Sequence, residues 1–459
     1  MGAQTVDTSL RTVFAGRRGR LLFALLLAEF AAAVQGIAYA TVLPAAAADL
    51  HGDRLYGATL AAGTLVSVVV LAAGSGIGDR LGGPRRTLLT ATGLFIAGVA
   101  LTAAAPAMGW LLAGTALRGL AGGLLAAFGL SAIGGLFEDA VRPRVLGLFA
   151  LVWLLPSLVG PPVNAALTVA VGWRWAMAWP VVVVIAARVL VGRDVDLIPA
   201  GTGRRPMALR LGLLVAGGLL LASGATGSGR WGVPLLVLGL VAACAGGVRV
   251  LARAAGGDRR RVLVLLSFAA GVTAFFGGDG LVPKALFTGL GSGVVAYTVA
   301  LAAGWVAWSL TGARPPTPRP GFDPALLGTV LVTLAVLTEA AVQTRWLGGT
   351  VALAVAIGAW AVGGLGMGLA YGRLQPEAFD DLPAEQVAPV ATAVAFAETA
   401  AAVVGSLLGG GTYSLATTVG VPARTALLTG FLLLGAAGLS AVVMARLRTG
   451  TCTRDGIRS

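Results

Sequence analysis

Six ionisable side chains, Glu29, Arg118, Asp279, Lys284, Glu339 and Glu398, interrupt long apolar runs. A charge carried into hydrocarbon costs about 3 kcal/mol or more, so such a group faces a cavity or a partner. A carboxyl in a cavity can take up and release a proton as the cavity faces each side of a membrane in turn, and it attracts cations. At about 1.5 Å per residue, Glu398 lies ~15 Å along its run and Glu29 ~12 Å along its own, which makes them the best-buried acids. Asp279 sits in Phe275-Phe276-Gly277-Gly278-Asp279-Gly280. Lys284, the chain's only lysine, lies five residues on and is a candidate partner for it, although that spacing is not ideal on a helix. Glu339, near the end of its run, is expected to reach water.

The elements that must hold these groups are membrane helices. Of 459 residues, 57% are hydrophobic and 11% charged, and the mean hydropathy is +0.89. Soluble domains carry about 25% charged residues. With about 20 apolar residues needed per crossing, the sequence predicts fourteen spans: 21–47, 56–78, 87–105, 110–136, 145–170, 174–191, 208–226, 232–251, 262–286, 292–312, 324–342, 348–371, 388–418 and 424–445. The expected fold is therefore an all-α polytopic membrane protein. The formal net charge of +14 sits in the loops. With both termini cytoplasmic, the arginine-rich loops all fall inside, as the positive-inside rule requires. Aromatic-interleaved basic patches are missing, so no nucleic-acid partner is expected. Two cysteines and one histidine build no metal cluster or disulfide framework. Arg17, Arg18 and Arg20 before an apolar run and Ala38-Tyr39-Ala40 imitate a cleavable signal, but the run continues to Ala48, long enough to span.

A polar turn, Ser75-Gly-Ile-Gly-Asp79-Arg80-Leu-Gly82-Gly-Pro-Arg85-Arg86, joins the second and third spans. It resembles the loop between helices 2 and 3 of major facilitator superfamily transporters, with Asp79, Arg80, Gly82, Arg85 and Arg86 on the family pattern. Arg118-Gly119-Leu120-Ala121-Gly122-Gly123 is similar to a fourth-helix motif of that family. Gly160-Pro161-Pro162-Val163-Asn164-Ala165 and Gly172-Trp173-Arg174-Trp175 are similar to signatures of its 14-helix drug:proton antiporters. Val42-Leu43-Pro44 matches a further landmark, yet Gln35 holds the place where that group has an aspartate, and an amide cannot take up a proton near neutral pH.

The resemblance implies two six-helix bundles, 21–191 and 262–445, flanking a linker of 192–261 with two extra helices, with tails at 1–20 and 446–459. It implies proton coupling or substrate contact at Glu29, Gln35, Arg118, Asp279 and Glu398. Conformational gating would fall to Asp79, Arg80, Gly82, Arg85, Arg86, Gly160 and Pro161. The expected function is a proton-coupled exporter of amphipathic, cationic drugs or metabolites, acting as a monomer in the cell membrane, with no cofactor. No nucleophile and base pair, metal cluster or nucleotide-cradling loop points to an enzyme or to an ATP-driven pump. The alternatives are a dedicated exporter of one lipid-like or natural-product cargo, and a membrane protein that transports nothing.

Overall fold

The computed structural model describes residues 14–73, 80–136, 152, 154–197, 216–220, 223–224, 231–312, 316–319 and 321–455. Among them the chain is helical, apart from one isolated antiparallel bridge between Arg319 and Phe322. The helices are α1 (Gly16–Asp49), α2 (Tyr56–Ala73), α3 (Pro84–Ala103), α4 (Met108–Leu136), α5 (Leu154–Ala170), α6 (Trp173–Arg193) and α7 (Gly232–Ala254). They continue with α8 (Arg259–Lys284), α9 (Val294–Gly312), α10 (Pro324–Val342), α11 (Gly349–Glu377), α12 (Ala384–Ser406) and α13 (Ala423–Asp455). Eleven helices among the described residues are long and apolar enough to cross a membrane. The expected spans 56–78, 145–170 and 208–226 fall partly outside the described residues.

Local chemistry sets the helix starts. Gly82 and Gly83 take φ of 88° and 100°, a left-handed turn that side chains resist, and Pro84 then opens α3 with its φ already helical. Asp258 caps α8 by accepting from the Arg260 and Arg261 backbone N–H groups at 2.9 and 3.3 Å. Asp323 caps α10 through the Ala325 N–H at 3.0 Å, with Pro324 in the first turn. Large apolar side chains such as Val169, Val182, Leu432, Leu439 and Val443 stay exposed, the surface that a lipid phase covers.

The chain divides into two compact units. The first comprises Met1–Tyr39 and Val66–Leu209, the second Ala40–Leu65 and Arg210–Ser459. In the first, Leu21, Ala24 and Leu25 of α1 pack with Leu88 of α3 and Val191 of α6, and Ala31 packs with Phe95, Val99, Ala121 and Val184. Helices α3 and α4 cross on small residues: a Cβ on Gly98 would lie 2.7 Å from the Gly114 carbonyl oxygen. At one end Asp194, just past α6, accepts from Arg17 at 2.8 Å and Arg20 at 3.2 Å, and Arg17 also reaches Asp196 at 2.9 Å. Those hydrogen bonds hold the Asp194 carboxyl below the usual carboxylate range.

In the second unit α8 is enclosed, with every residue from Gly277 to Lys284 buried. Its last turn passes into a π-helical segment, Ala285–Gly289, and α12 passes into another, Leu407–Gly411, before a short helix over Thr412–Thr418. Such wide turns leave the i→i−4 ladder and often mark functional positions. Helices α9 and α11 touch backbone to backbone, since a Cβ on Gly364 would lie 1.9 Å from the Gly304 carbonyl oxygen. At the ends of α8, α10, α11 and α13, the buried Glu377 accepts from Arg260 at 2.9 Å, pairs with Arg373 at 3.3 Å and bonds Arg448, which also bonds Asp323.

Candidate functional site

The richest constellation lies in the second unit, where four helices, α8, α9, α11 and α12, bring acids and aromatic rings together. Asp279, 6% exposed in the last two turns of α8, accepts from the Trp360 indole N–H at 3.3 Å. Trp360 of α11 is fully buried and stacks on Phe275 with ring centres 5.2 Å apart and planes 14° from parallel. Phe275 meets Trp308 of α9 edge to face at 5.3 Å, and Trp308 stacks on Trp305 at 4.9 Å. Trp308 also contacts Tyr371 of α11 at 5.5 Å, and Phe268 flanks Tyr371 at 5.3 Å. The Tyr371 hydroxyl donates to Glu398 Oε2 at 3.1 Å and accepts from Gln375 Nε2 at 3.2 Å. Asp279 and Glu398, 119 residues apart, are thus the two ends of one aromatic chain. Edge and face contacts of this kind fix ring positions, and ring faces attract cations.

The pairing expected for Asp279 does not form. Lys284 is turned about 140° around α8 from Asp279, as five residues at about 100° each require. It bonds Asp53 instead at 2.5 Å, and Tyr413 donates to the other Asp53 oxygen at 3.0 Å. The Lys284 ammonium also lies 5.4 and 5.6 Å from the Tyr56 and Tyr413 ring centres. Tyr56 in turn donates to the Gly280 carbonyl at 2.8 Å, and the Gly57 N–H donates to Ser414 Oγ at 3.0 Å. All these residues belong to the second unit. Glu339 departs from expectation too: it is 0% exposed, and among the described residues neither carboxyl oxygen has a hydrogen-bond partner. Neighbouring α-helical turns, not headgroup water, surround it because α10 is buried on the Val332, Val336, Glu339 and Ala340 stripe.

In the first unit, Gln35 of α1 is 8% exposed and faces Arg118 of α4. In the amide orientation that satisfies both groups, the Gln35 carbonyl accepts from Arg118 Nε at 2.9 Å and Nη2 at 3.2 Å. The guanidinium also lies over the Tyr39 ring, 5.0 Å from its centre, and the Tyr39 and Thr115 hydroxyls bond at 2.9 Å. Glu29 is half-buried on α1. Gly160 and Pro161 are buried in α5, whose interior holds Pro161 and Pro162. Asn164, one turn on and 0% exposed, accepts from the Trp179 indole at 2.9 Å, so α5 is tied to α6 where the sequence departs from its expected glycine. Arg80, Gly82, Arg85 and Arg86 are exposed. Asp79 lies outside the described residues.

Tyr371, Trp360, Asp53, Tyr56 and Tyr413 join these candidate constellations without having been singled out by the sequence. Each sits in an apolar or turn segment with no motif around it, and only its tertiary partner sets it apart. Arg188, inside α6 with a buried Nε that bonds nothing among the described residues, was missed as well.

No family model matches the chain. Among curated relatives, it is 27% identical over 182 residues to the multidrug transporter protein MdtP of Bacillus subtilis, covering 39% of this chain and 33% of that protein. It is 32% identical over 162 residues to the acurin A biosynthesis cluster MFS-type transporter of Aspergillus aculeatus, covering 35% and 29%. The chain thus spans about a third of the length of the curated relatives it matches. Among solved structures, the POT family transporter PepTSo superposes with a TM-score of 0.64 at 16% identity, over 94% of this chain and 98% of that one. A peptide transporter POT in complex with sulfate gives 0.62 at 15% identity, over 98% and 99%.

Proposed function

From a multi-pass membrane chain with the major facilitator fold, we infer a proton-coupled secondary transporter that exports amphipathic, cationic drugs or metabolites by alternating access. The observation that carries this reading is the pair of acids, Asp279 and Glu398, joined through Trp360, Phe275, Trp308 and Tyr371. A carboxyl at each end of a ring assembly offers both a proton carrier and a counter-charge for a flat cation. Glu398 is the first choice for the coupling acid, because a hydroxyl holds one of its oxygens without neutralising it. Asp279 is the second, and Glu29 a third in the first unit. Asp79, Arg80, Gly82, Arg85 and Arg86 would latch the cytoplasmic side, and the Gly160-Pro161 weak point in α5 would let that bundle bend. The membrane would be the cell membrane, with both termini inside, and the transporter would act as a monomer.

The test is gradient-dependent efflux of a fluorescent lipophilic cation from vesicles holding wild type, Glu398→Gln, Asp279→Asn or Glu29→Gln. Export that stops when the gradient is collapsed, and that Glu398→Gln abolishes with the protein still folded, is the expected result. Absence of dye movement in any gradient would overturn multidrug export. It would favour a dedicated cargo, a reading that the name of the Aspergillus relative supports, since that protein serves a biosynthesis cluster.

A further inference from the structure

Where α1 begins and α6 stops, the first unit holds a cavity of about 290 Å³, lined by Phe14, Arg20, Phe23, Leu190, Arg193 and Asp194. One wall is set by a backbone reversal. Gly16 takes a φ of 62°, and Phe14 folds back so closely that a Cβ on Gly19 would lie 2.0 Å from the Phe14 carbonyl carbon. At this end of the unit four arginines, Arg17, Arg18, Arg20 and Arg193, stand against two acids, Asp194 and Asp196, and Arg17 bonds both acids. Arg20 shares Asp194 through Nε and Nη2, while its side chain is 66% exposed and Nη1 bonds nothing among the described residues. Arg193 is exposed and makes no ion pair among the described residues. The cavity mouth therefore keeps an excess of positive charge and unused guanidinium donors, the groups that recognise a phosphate.

Away from the arginines the surface turns apolar. Val182, Ile185 and Val189 of α6 are exposed, and at about 100° per residue they fall with Arg193 on one stripe ~16 Å long. That is about half of the ~30 Å hydrocarbon core, the depth of one leaflet. Phe23, exposed on α1, stands one turn from Arg20 and continues the apolar floor. A free phosphate would use the arginines alone; a charge at the interface with a hydrocarbon tail uses the stripe as well. We propose that this cavity is a binding site for an anionic phospholipid, with its phosphodiester on Arg20 and Arg193 and an acyl chain along Val189, Ile185 and Val182. A zwitterionic lipid fits it less well, because its own cation would lie beside the arginines. Such binding is independent of what the protein exports.

The experiment takes the full chain, stripped of lipid in detergent, and counts bound lipid by native mass spectrometry as phosphatidylglycerol or phosphatidylcholine with the same acyl chains is titrated in. Wild type should bind the first phosphatidylglycerol about tenfold more tightly than phosphatidylcholine. Arg193→Gln breaks no ion pair among the described residues, so the fold is kept, and it should cut the margin to about threefold. Arg193→Lys should keep most of it, and Arg193→Gln combined with Arg20→Gln should abolish it. Arg249→Gln, which removes an exposed arginine from α7 in the second unit, should leave the margin as it was. Equal binding of the two lipids by wild type would overturn the site, as would an equal loss in Arg249→Gln and Arg193→Gln, since overall charge would then account for the preference. Glycerophosphoglycerol, the headgroup without chains, should fail to displace phosphatidylglycerol at equal concentration; displacement would make the cavity a site for soluble phosphates and overturn the lipid.

Discussion

Glu398 is held by one hydroxyl, and that hydroxyl sits on a ring packed by Phe268 and Trp308. Tyr371→Phe separates the two contributions. The ring contacts stay, so thermal stability should fall by no more than about 1 kcal/mol, while gradient-driven dye efflux should drop severalfold because the acid loses the donor that aims it. Tyr371→Ala should lose stability and efflux together. Purified-protein melting alongside vesicle efflux checks both. The acids themselves were legible from sequence, since charges in apolar runs are conspicuous. Their partners were not: the contact from Asp279 to Trp360 crosses 81 residues, and nothing in local spacing says which indole among ten will face it. Glu339 shows the same limit in reverse. Its position near a helix end suggested water, but the face it occupies decides its environment, and it is the buried one.

Elements with strong local signals came out where the sequence put them. Pro324 and Asp323 open α10 at the predicted residue, and α9 ends at Gly312 as expected. The run 388–418 is not one helix, because Leu407–Gly411 widens into a π turn at three successive glycines. At the end of α13, where the composition predicts a cytoplasmic tail, the helix continues to Asp455, and Arg448 within it bonds Glu377 and Asp323. Helix ends also carry a pH dependence. Arg17 and Arg20 keep the folded Asp194 carboxyl below its unfolded value of about 3.9, so this contribution to stability is present above that value and is lost as pH falls through the folded one. The stability difference between wild type and Asp194→Asn should therefore be constant from about pH 7 to 5 and shrink below that range, in thermal melts followed by circular dichroism. A constant difference down to pH 3 would mean that Asp194 acts by packing alone.

For the molecule as a whole, hydropathy sufficed for the class, because a bilayer leaves helices as the main way to satisfy a buried backbone; the fold was legible only through the motifs that resemble major facilitator transporters. What hydropathy does not convey is which pieces of chain pack together. Residues 40–65 read as part of the first bundle in sequence, yet their contacts place them in the second unit. The reason is chemical: Asp53, Tyr56 and Gly57 find Lys284, Gly280 and Ser414 there. Lys284 is the chain's one lysine and its side chain is 1% exposed. Apart from the amino terminus, the protein therefore owns a single primary amine, and it is locked away. A water-soluble amine-reactive ester, applied in pulses and read by intact mass, would act as a counter of molecules in which the Asp53 bond has let go. Wild type should gain the Lys284 label slowly and Asp53→Asn several times faster, with Lys284→Arg as the blank, so the protein carries its own one-site reporter with no engineered cysteine.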